Sequence, residues 1–285
     1  MKILSQIRDG FRRRHELRVC RDIAKNGSVR PTNLGWRNAP CADRWAHAGG
    51  GRLHIYGNSQ EAFDDAIDSG FSIIEADVMM TSDHVPVMSH RFRPNNEVAF
   101  DLIPTASEFL SQKVNGKYTP LTLDAFIVRY AATPVYVSLD PSPSFRRQFG
   151  ADYLLDYVKR FENADFERRV IYQLSGVDDL ARFVSVDWKG AFHYNLDFDV
   201  SSAENRWRVE ALVPALKALG IGSVSYVDMP VTEALAEAVS RFVSAGIAVS
   251  VASVNSEERF RRLRQLGISC IDTDYLYPQS NARHD

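Results

Sequence analysis

From about Arg44 onward, short apolar runs alternate with longer amphipathic stretches. The short runs predict strands at Arg44–Ala48, Ser72–Met80, Val135–Asp140, Val170–Leu174, Phe192–Leu196, Ser223–Val227, Ala248–Val254 and Cys270–Asp274. Between them, apolar positions spaced three or four apart predict helices at Ser59–Ser69, Thr122–Ala132, Ala151–Phe161, Asp178–Val184, Asn205–Leu219, Thr232–Ala245 and Ser256–Leu266. Helix ends are marked by Ser256 as an N-cap ahead of Glu257 and Glu258, and by Gly70, Gly220, Gly246 and Gly267 after the last apolar positions. Parallel strands need a crossover between them, so this alternation implies a parallel sheet flanked by helices. Eight strands, no Gly-rich fingerprint after the first, and 285 residues favour an α/β fold closed as a (β/α)8 TIM barrel over an open doubly wound sheet. Chemistry in such a barrel sits at the C-terminal strand ends. The segment Pro86–Pro120 breaks the alternation and predicts a loop insertion beside that rim.

Charge changes the picture at one end. Residues 1–30 carry nine Lys/Arg against three acids, while the whole chain has a net charge of −2, so the remainder is acidic. Ile3, Leu4, Ile7 and Phe11 recur at helical spacing, which predicts a basic helical extension over residues 1–40 ahead of a barrel over 41–280. The plainest expectation packs this helix over the barrel bottom; the alternatives are a second subunit or peripheral contact with an anionic membrane. An acidic main body argues against nucleic acid as a partner. No apolar run reaches eighteen residues, and the N-terminus lacks the apolar core of a secretory signal. Three widely spaced cysteines, Cys20, Cys41 and Cys270, fit a reducing cytoplasm rather than a disulfide framework or a thiolate metal site.

The candidate chemistry gathers around the second strand. In Ile73-Ile74-Glu75-Ala76-Asp77-Val78, a period of two puts Glu75 and Asp77 on one face. Two carboxylates side by side inside a barrel repel each other and pay desolvation unless a cation joins them. Oxygen ligands alone suit Mg2+ or Ca2+. The plain alternative is a solvated pair or a salt bridge with Arg. The first strand ends in Ala46-His47-Ala48-Gly49-Gly50, and Pro86-Val87-Met88-Ser89-His90 returns a second histidine toward the same mouth. Two histidines and a divalent ion would supply the base, the acid and the positive charge that phosphodiester cleavage requires.

These residues carry a resemblance. His47-Ala48-Gly49, Asn58-Ser59-Gln60-Glu61-Ala62-Phe63, Ile74-Glu75-Ala76-Asp77-Val78, Thr81-x-Asp83, Val85-Pro86-Val87, His90, Val254-Asn255 and Thr273-Asp274-Tyr275 resemble, in order, the motifs of the glycerophosphodiester phosphodiesterase family. The resemblance implies His47 and His90 as the general acid/base pair, Glu75 and Asp77 as metal ligands, and Asn58 at the phosphate end of the pocket. It also implies attack by a hydroxyl of the substrate's own glycerol and a cyclic phosphate that water then opens. A small-molecule or polymer phosphodiester is the expected substrate.

Departures from the family pattern are equally informative. Ala48 stands where the family has a phosphate-gripping arginine; Arg52, Arg91, Arg93 and Lys189 are the candidates to replace it. The family's third-strand Glu-x-Lys reads Ser138-Leu139-Asp140, which nominates Asp140 as third metal ligand. Ala252-Ser253 replaces Trp-Thr. Tyr194, Tyr226 and Tyr275 are candidates for the mouth, with Tyr194 and Arg91 as substrate contacts, while His193 and Asn195 share the opposite parity and are read as facing the helices. His54 belongs to no constellation. Two alternatives to hydrolysis keep the same barrel: a cyclising lyase resembling the phospholipase D-like toxins, and a barrel that binds without catalysis.

Overall fold

The computed structural model describes residues 2–27, 33–50, 57–92, 102–183 and 186–278. Its strands are β1 Arg44–Ala46, β2 Ile73–Met80, β3 Pro86–Met88, β4 Tyr136–Pro141, β5 Val170–Ser175, β6 Ala191–Asn195, β7 Ser223–Val227, β8 Ala248–Ala252 and β9 Cys270–Thr273. All but β3 pair in parallel, in the order β1-β2-β4-β5-β6-β7-β8-β9. β1 closes the ring, with Ala46 beside Ile74 of β2 and Trp45 beside Asp272 of β9. The result is the expected eight-stranded parallel barrel.

The helices are α1 Lys2–Asn26, α2 Gln60–Asp68, α3 Ala106–Ser111, α4 Leu123–Tyr130, α5 Pro143–Phe149, α6 Ala151–Lys159, α7 Ala164–Arg169, α8 Val177–Arg182, α9 Arg206–Ala218, α10 Glu233–Ser244 and α11 Glu257–Gln265. Ser59, Thr122, Ser142, Asn163, Thr232 and Ser256 each accept a hydrogen bond from a backbone N–H of the first turn that follows. Those caps meet the donors that a helix start leaves unpaired, and so fix where each helix leaves its strand. Three helices, α5 to α7, fill the β4–β5 crossover where the pattern predicted one.

Strand alternation divides the apolar residues into two layers. Ile74, Ala76 and Val78 face outward and are wholly buried under the helices. Inside, Trp45, Ile73, Ile171, Ala191, Ala248 and Cys270 fill the lower barrel, and Trp36 packs edge-on against Trp45 at 5.1 Å. With the floor plugged by side chains, the barrel opens for ligands at its C-terminal strand ends.

α1 lies along the barrel's flank against α8 and α9, rather than over the bottom. Cys20 and Ile23 are buried in the contact. Glu16 meets Arg208 of α9 at 2.5 Å, with both nearly excluded from solvent, and His15 meets Asp178 at 2.8 Å. Arg13 lies over the ring of Trp207 at 5.0 Å. No described helix is long and apolar enough to cross a membrane. At the rim, β3 pairs antiparallel with the end of β2, Val78 beside Met88, which turns the chain back so that His90 reaches the mouth.

Candidate active site

His47 opens a tight turn after β1 in which Ala48, Gly49 and Gly50 all have positive φ, at 50°, 89° and 61°. A Cβ on Gly49 would lie 2.7 Å from the Phe63 ring, so only glycine fits that close approach. The turn aims the Ala48 N–H at Glu75 Oε2, which accepts it at 2.7 Å. His47 Nδ1 lies 2.7 Å from Asp274 Oδ1 and 3.2 Å from Ser253 Oγ. Asp274 is held in turn by Asn255, whose Nδ2 donates to Oδ2 at 2.5 Å and whose Oδ1 accepts from the Asp274 N–H at 2.9 Å. Burial alone would lower the pKa of His47; the hydrogen bond to Asp274 and the charges of Glu75, Asp274 and Asp272 outweigh it and push the imidazole up to about 10. Burial raises the carboxyl of Asp274, but the bond to His47 wins and holds it below its ordinary value.

β2 and β4 bring the three acidic residues together. Asp77 lies beside Asp140 in register, and Glu75, Asp77 and Asp140 each offer an oxygen within 4.8 Å of the others'. Burial, then the charge of Asp77, holds the carboxyl of Glu75 well above its usual range. Burial also raises Asp140 to about 7, although Arg146 donates to it at 3.2 Å and pulls the other way. Groups so costly to ionise by themselves are what a divalent cation compensates, and an all-oxygen donor set fits Mg2+ or Ca2+. The three residues therefore fit such an ion.

A cavity of ≈180 Å³ joins this cluster to both histidines. His90 is exposed at its lip, and Arg91 Nε donates to His90 Nδ1 at 3.2 Å. Across the interior, Ser225 Oγ donates to Asn195 Oδ1 at 2.5 Å, Asn195 Nδ2 to Gln173 Oε1 at 2.6 Å, and Gln173 Nε2 to Ser138 Oγ at 3.0 Å. At the end of this neutral belt, Ser138 holds the position that the resemblance gives to the family's third-strand Glu.

Two expected substrate contacts are corrected. Tyr194 is 1% exposed and faces the helical shell, close to Cys20 and Glu16 of α1. His193 and Asn195 point inward instead: the His193 ring packs 5.3 Å from Trp45, and its Nδ1 meets Ser223 Oγ at 2.8 Å. The reason is that barrel strands are buried on both faces, so alternation shows which residues share a side and not which side is inner. Asn58 is wholly buried and serves Asp77, donating to Oδ2 at 2.8 Å and accepting from the Asp77 N–H at 3.0 Å. It orients a carboxylate rather than touching phosphate. Lys189 precedes β6 at the N-terminal strand ends and pairs with Glu167 at 3.5 Å, far from the mouth. Tyr275 is at the rim and 41% exposed. Arg52, His54 and Arg93 lie outside the described residues. Gln173, Ser225 and Asp272 join the site without having stood out in the sequence, and Asp274, part of a matching motif, gains its role at His47; which face of these strands is inner follows from the register around the closed barrel.

Known proteins supply the final comparison. Residues 47–277 match the model of the glycerophosphoryl diester phosphodiesterase family. A glycerophosphodiester phosphodiesterase structure from Parabacteroides distasonis is 20% identical, with 81% of this chain and 92% of that one covered and a TM-score of 0.64. One from Thermotoga maritima is 21% identical over 81% and 94%, with a TM-score of 0.61. A phosphodiesterase from Oleispira antarctica, solved with the product sn-glycerol-3-phosphate, is 17% identical over 82% and 93%, with a TM-score of 0.63. No curated protein matches the sequence. The match spans both histidines, the three carboxylates and the Asn255–Asp274 support, and the chain belongs to the glycerophosphoryl diester phosphodiesterase family.

Proposed function

We propose that this chain is a divalent-metal-dependent phosphodiesterase that hydrolyses a glycerophosphodiester-like substrate with His47 and His90 as acid and base. The observation that carries the reading is a single cavity onto which His47, His90 and the Glu75–Asp77–Asp140 cluster all face. When bound, a divalent ion would draw charge from the phosphoryl oxygens. Asp274 holds the Nδ1 side of His47 and keeps the ring protonated near neutral pH. Such an imidazolium is placed to donate to a departing alkoxide, while His90 at the lip takes the proton of the attacking hydroxyl. Asn58 keeps Asp77 turned toward the cluster, and the Ala48 N–H does the same for Glu75.

Asp140, in place of the Glu-x-Lys pattern, resembles the third-strand Asp that the phospholipase D-like toxins can use and so favours one second reading, in which the reaction stops at the cyclic phosphate. Peripheral membrane contact through α1 belongs to the same proposal: Arg12, Arg13, Arg14, Arg18, Arg21 and Lys25 are all exposed on the docked helix. Phosphorus NMR of purified protein with glycerophosphodiesters, lysophospholipids and an aryl phosphodiester tests the reaction. Phosphomonoester formed with Mg2+, Mn2+ or Ca2+ and abolished by EDTA is the expected result. An accumulating cyclic phosphate favours the second reading, and absence of any product with every metal refutes both.

A further inference from the structure

Among the described carboxylates that line the pocket, Asp272 belongs to neither the cation cluster nor the hydrogen-bonded support of His47, and reaches His47 through its charge alone. It lies on the inner face of β9, two residues before Asp274, and lines the same cavity as His47, Glu75 and Asp140. Its residue is 6% exposed, and its Oδ1 has no hydrogen-bond partner. Trp45, its register neighbour on β1, likewise leaves Nε1 unpaired. A buried carboxylate oxygen without a donor is costly, and such a group calls for a partner such as a water, an ion or a ligand. On the β8 side, the pairing of Val251 with Ile271 puts Ala252 next to Asp272, and Ala252 has only a methyl group where Trp would fill the space. Ala252, Val227 and Leu196 line the same cavity and make an apolar wall near the carboxylate. No Lys or Arg is among the described lining residues, and Arg146 is already engaged by Asp140 and Asp179. No cationic side chain among the described lining residues neutralises Asp272, which leaves a place for a donor carried by a ligand.

We propose that Asp272 and the space beside Ala252 form a specificity subsite for a hydrogen-bond-donating group, a hydroxyl or an ammonium, carried by the substrate next to its phosphodiester. The proposal rests on the phosphodiesterase reading, because the phosphate fixes where that group sits. A carboxylate recognises either donor, and the apolar wall accommodates the carbon chain that bears it. Burial raises the Asp272 carboxyl to about 7, which agrees with a group whose partner comes from outside the protein.

Calorimetric titration of the full chain in Mg2+ with methyl phosphate, glycerol phosphate and ethanolamine phosphate tests the subsite without relying on turnover. At least one of the two donor-bearing phosphates should bind more than about tenfold tighter than methyl phosphate. Asp272→Leu should remove that margin, leave methyl phosphate binding within the range of the parent protein, and melt no lower than the parent. Asp272→Asn should remove an ammonium margin but keep part of a hydroxyl margin, since the amide oxygen still accepts. Equal binding of all three phosphates, as expected if a trapped water bridges Trp45 and Asp272, overturns the subsite alone. A margin that survives in Asp272→Leu does the same. No binding of any of them, methyl phosphate included, overturns the subsite together with the phosphate site beneath it.

Discussion

Glu75→Gln should lower metal-dependent turnover by at least about 10²-fold while leaving the metal-free protein as stable as its parent, or more so. Lewis-acid assistance contributes several kcal/mol to phosphoryl transfer, and losing a central ligand removes much of it. The stability side follows from the surroundings of Glu75. Burial and Asp77 raise its folded pKa above the unfolded value of 4.5, so without a cation the ionised form destabilises the fold increasingly as pH rises past that value. Glutamine keeps the shape and can still accept from the Ala48 N–H, but carries no charge to desolvate. Steady-state kinetics with Mg2+ and thermal melts in EDTA at pH 8 check both halves. A variant that keeps more than half of the parental turnover removes Glu75 from the scheme. One that loses activity by unfolding contradicts the account of its burial.

His47→Ala should cost about 10²–10⁴-fold in kcat, the usual worth of a positioned proton donor. Asp274→Asn is the finer probe. With Asp274 intact, the folded protein holds the His47 proton up to about pH 10, against 6.5 unfolded. That contribution to stability is complete below 6.5 and fades as pH rises toward 10. Asp274, lowered by the same bond, contributes above its unfolded 3.8 and loses the contribution as pH falls through its depressed value. The pair is therefore strongest between about pH 4 and 6.5. Asparagine removes the charge that holds the proton, so the alkaline limb of the kcat profile should move down from near 10 by at least about one pH unit, with at least about a fivefold loss at pH 10. An unmoved limb would show that His47 is not the donor or that Asp274 does not set its protonation.

The fold was largely legible because its signals are local. Short apolar runs marked each barrel strand, and at the starts of the predicted helices the side chains of Ser59, Thr122, Thr232 and Ser256 cap as their types suggest. Glu75 and Asp77 stood out because charge is conspicuous on an otherwise apolar strand. Tyr194 misled for the converse reason: on β6 both faces are buried, and a histidine on the inner face looks no more internal than a tyrosine on the outer one. Asp140 could be nominated from its strand, but its nearness to Arg146 depends on how α5 returns across the rim. Asp272 and Asp274 contribute through long-range proximity to β1, and Asn58 gains its role only when its left-handed turn, φ 56°, brings it against Asp77. Such contacts are set by barrel closure, which no local pattern encodes.

Crystals grown with Mn2+ and measured at the manganese absorption edge test the central claim most directly. An anomalous peak should lie about 2.0–2.4 Å from carboxylate oxygens of Glu75, Asp77 and Asp140, at the cavity shared with His47 and His90. A peak seated elsewhere, or none from protein that is active with Mn2+, would contradict that claim.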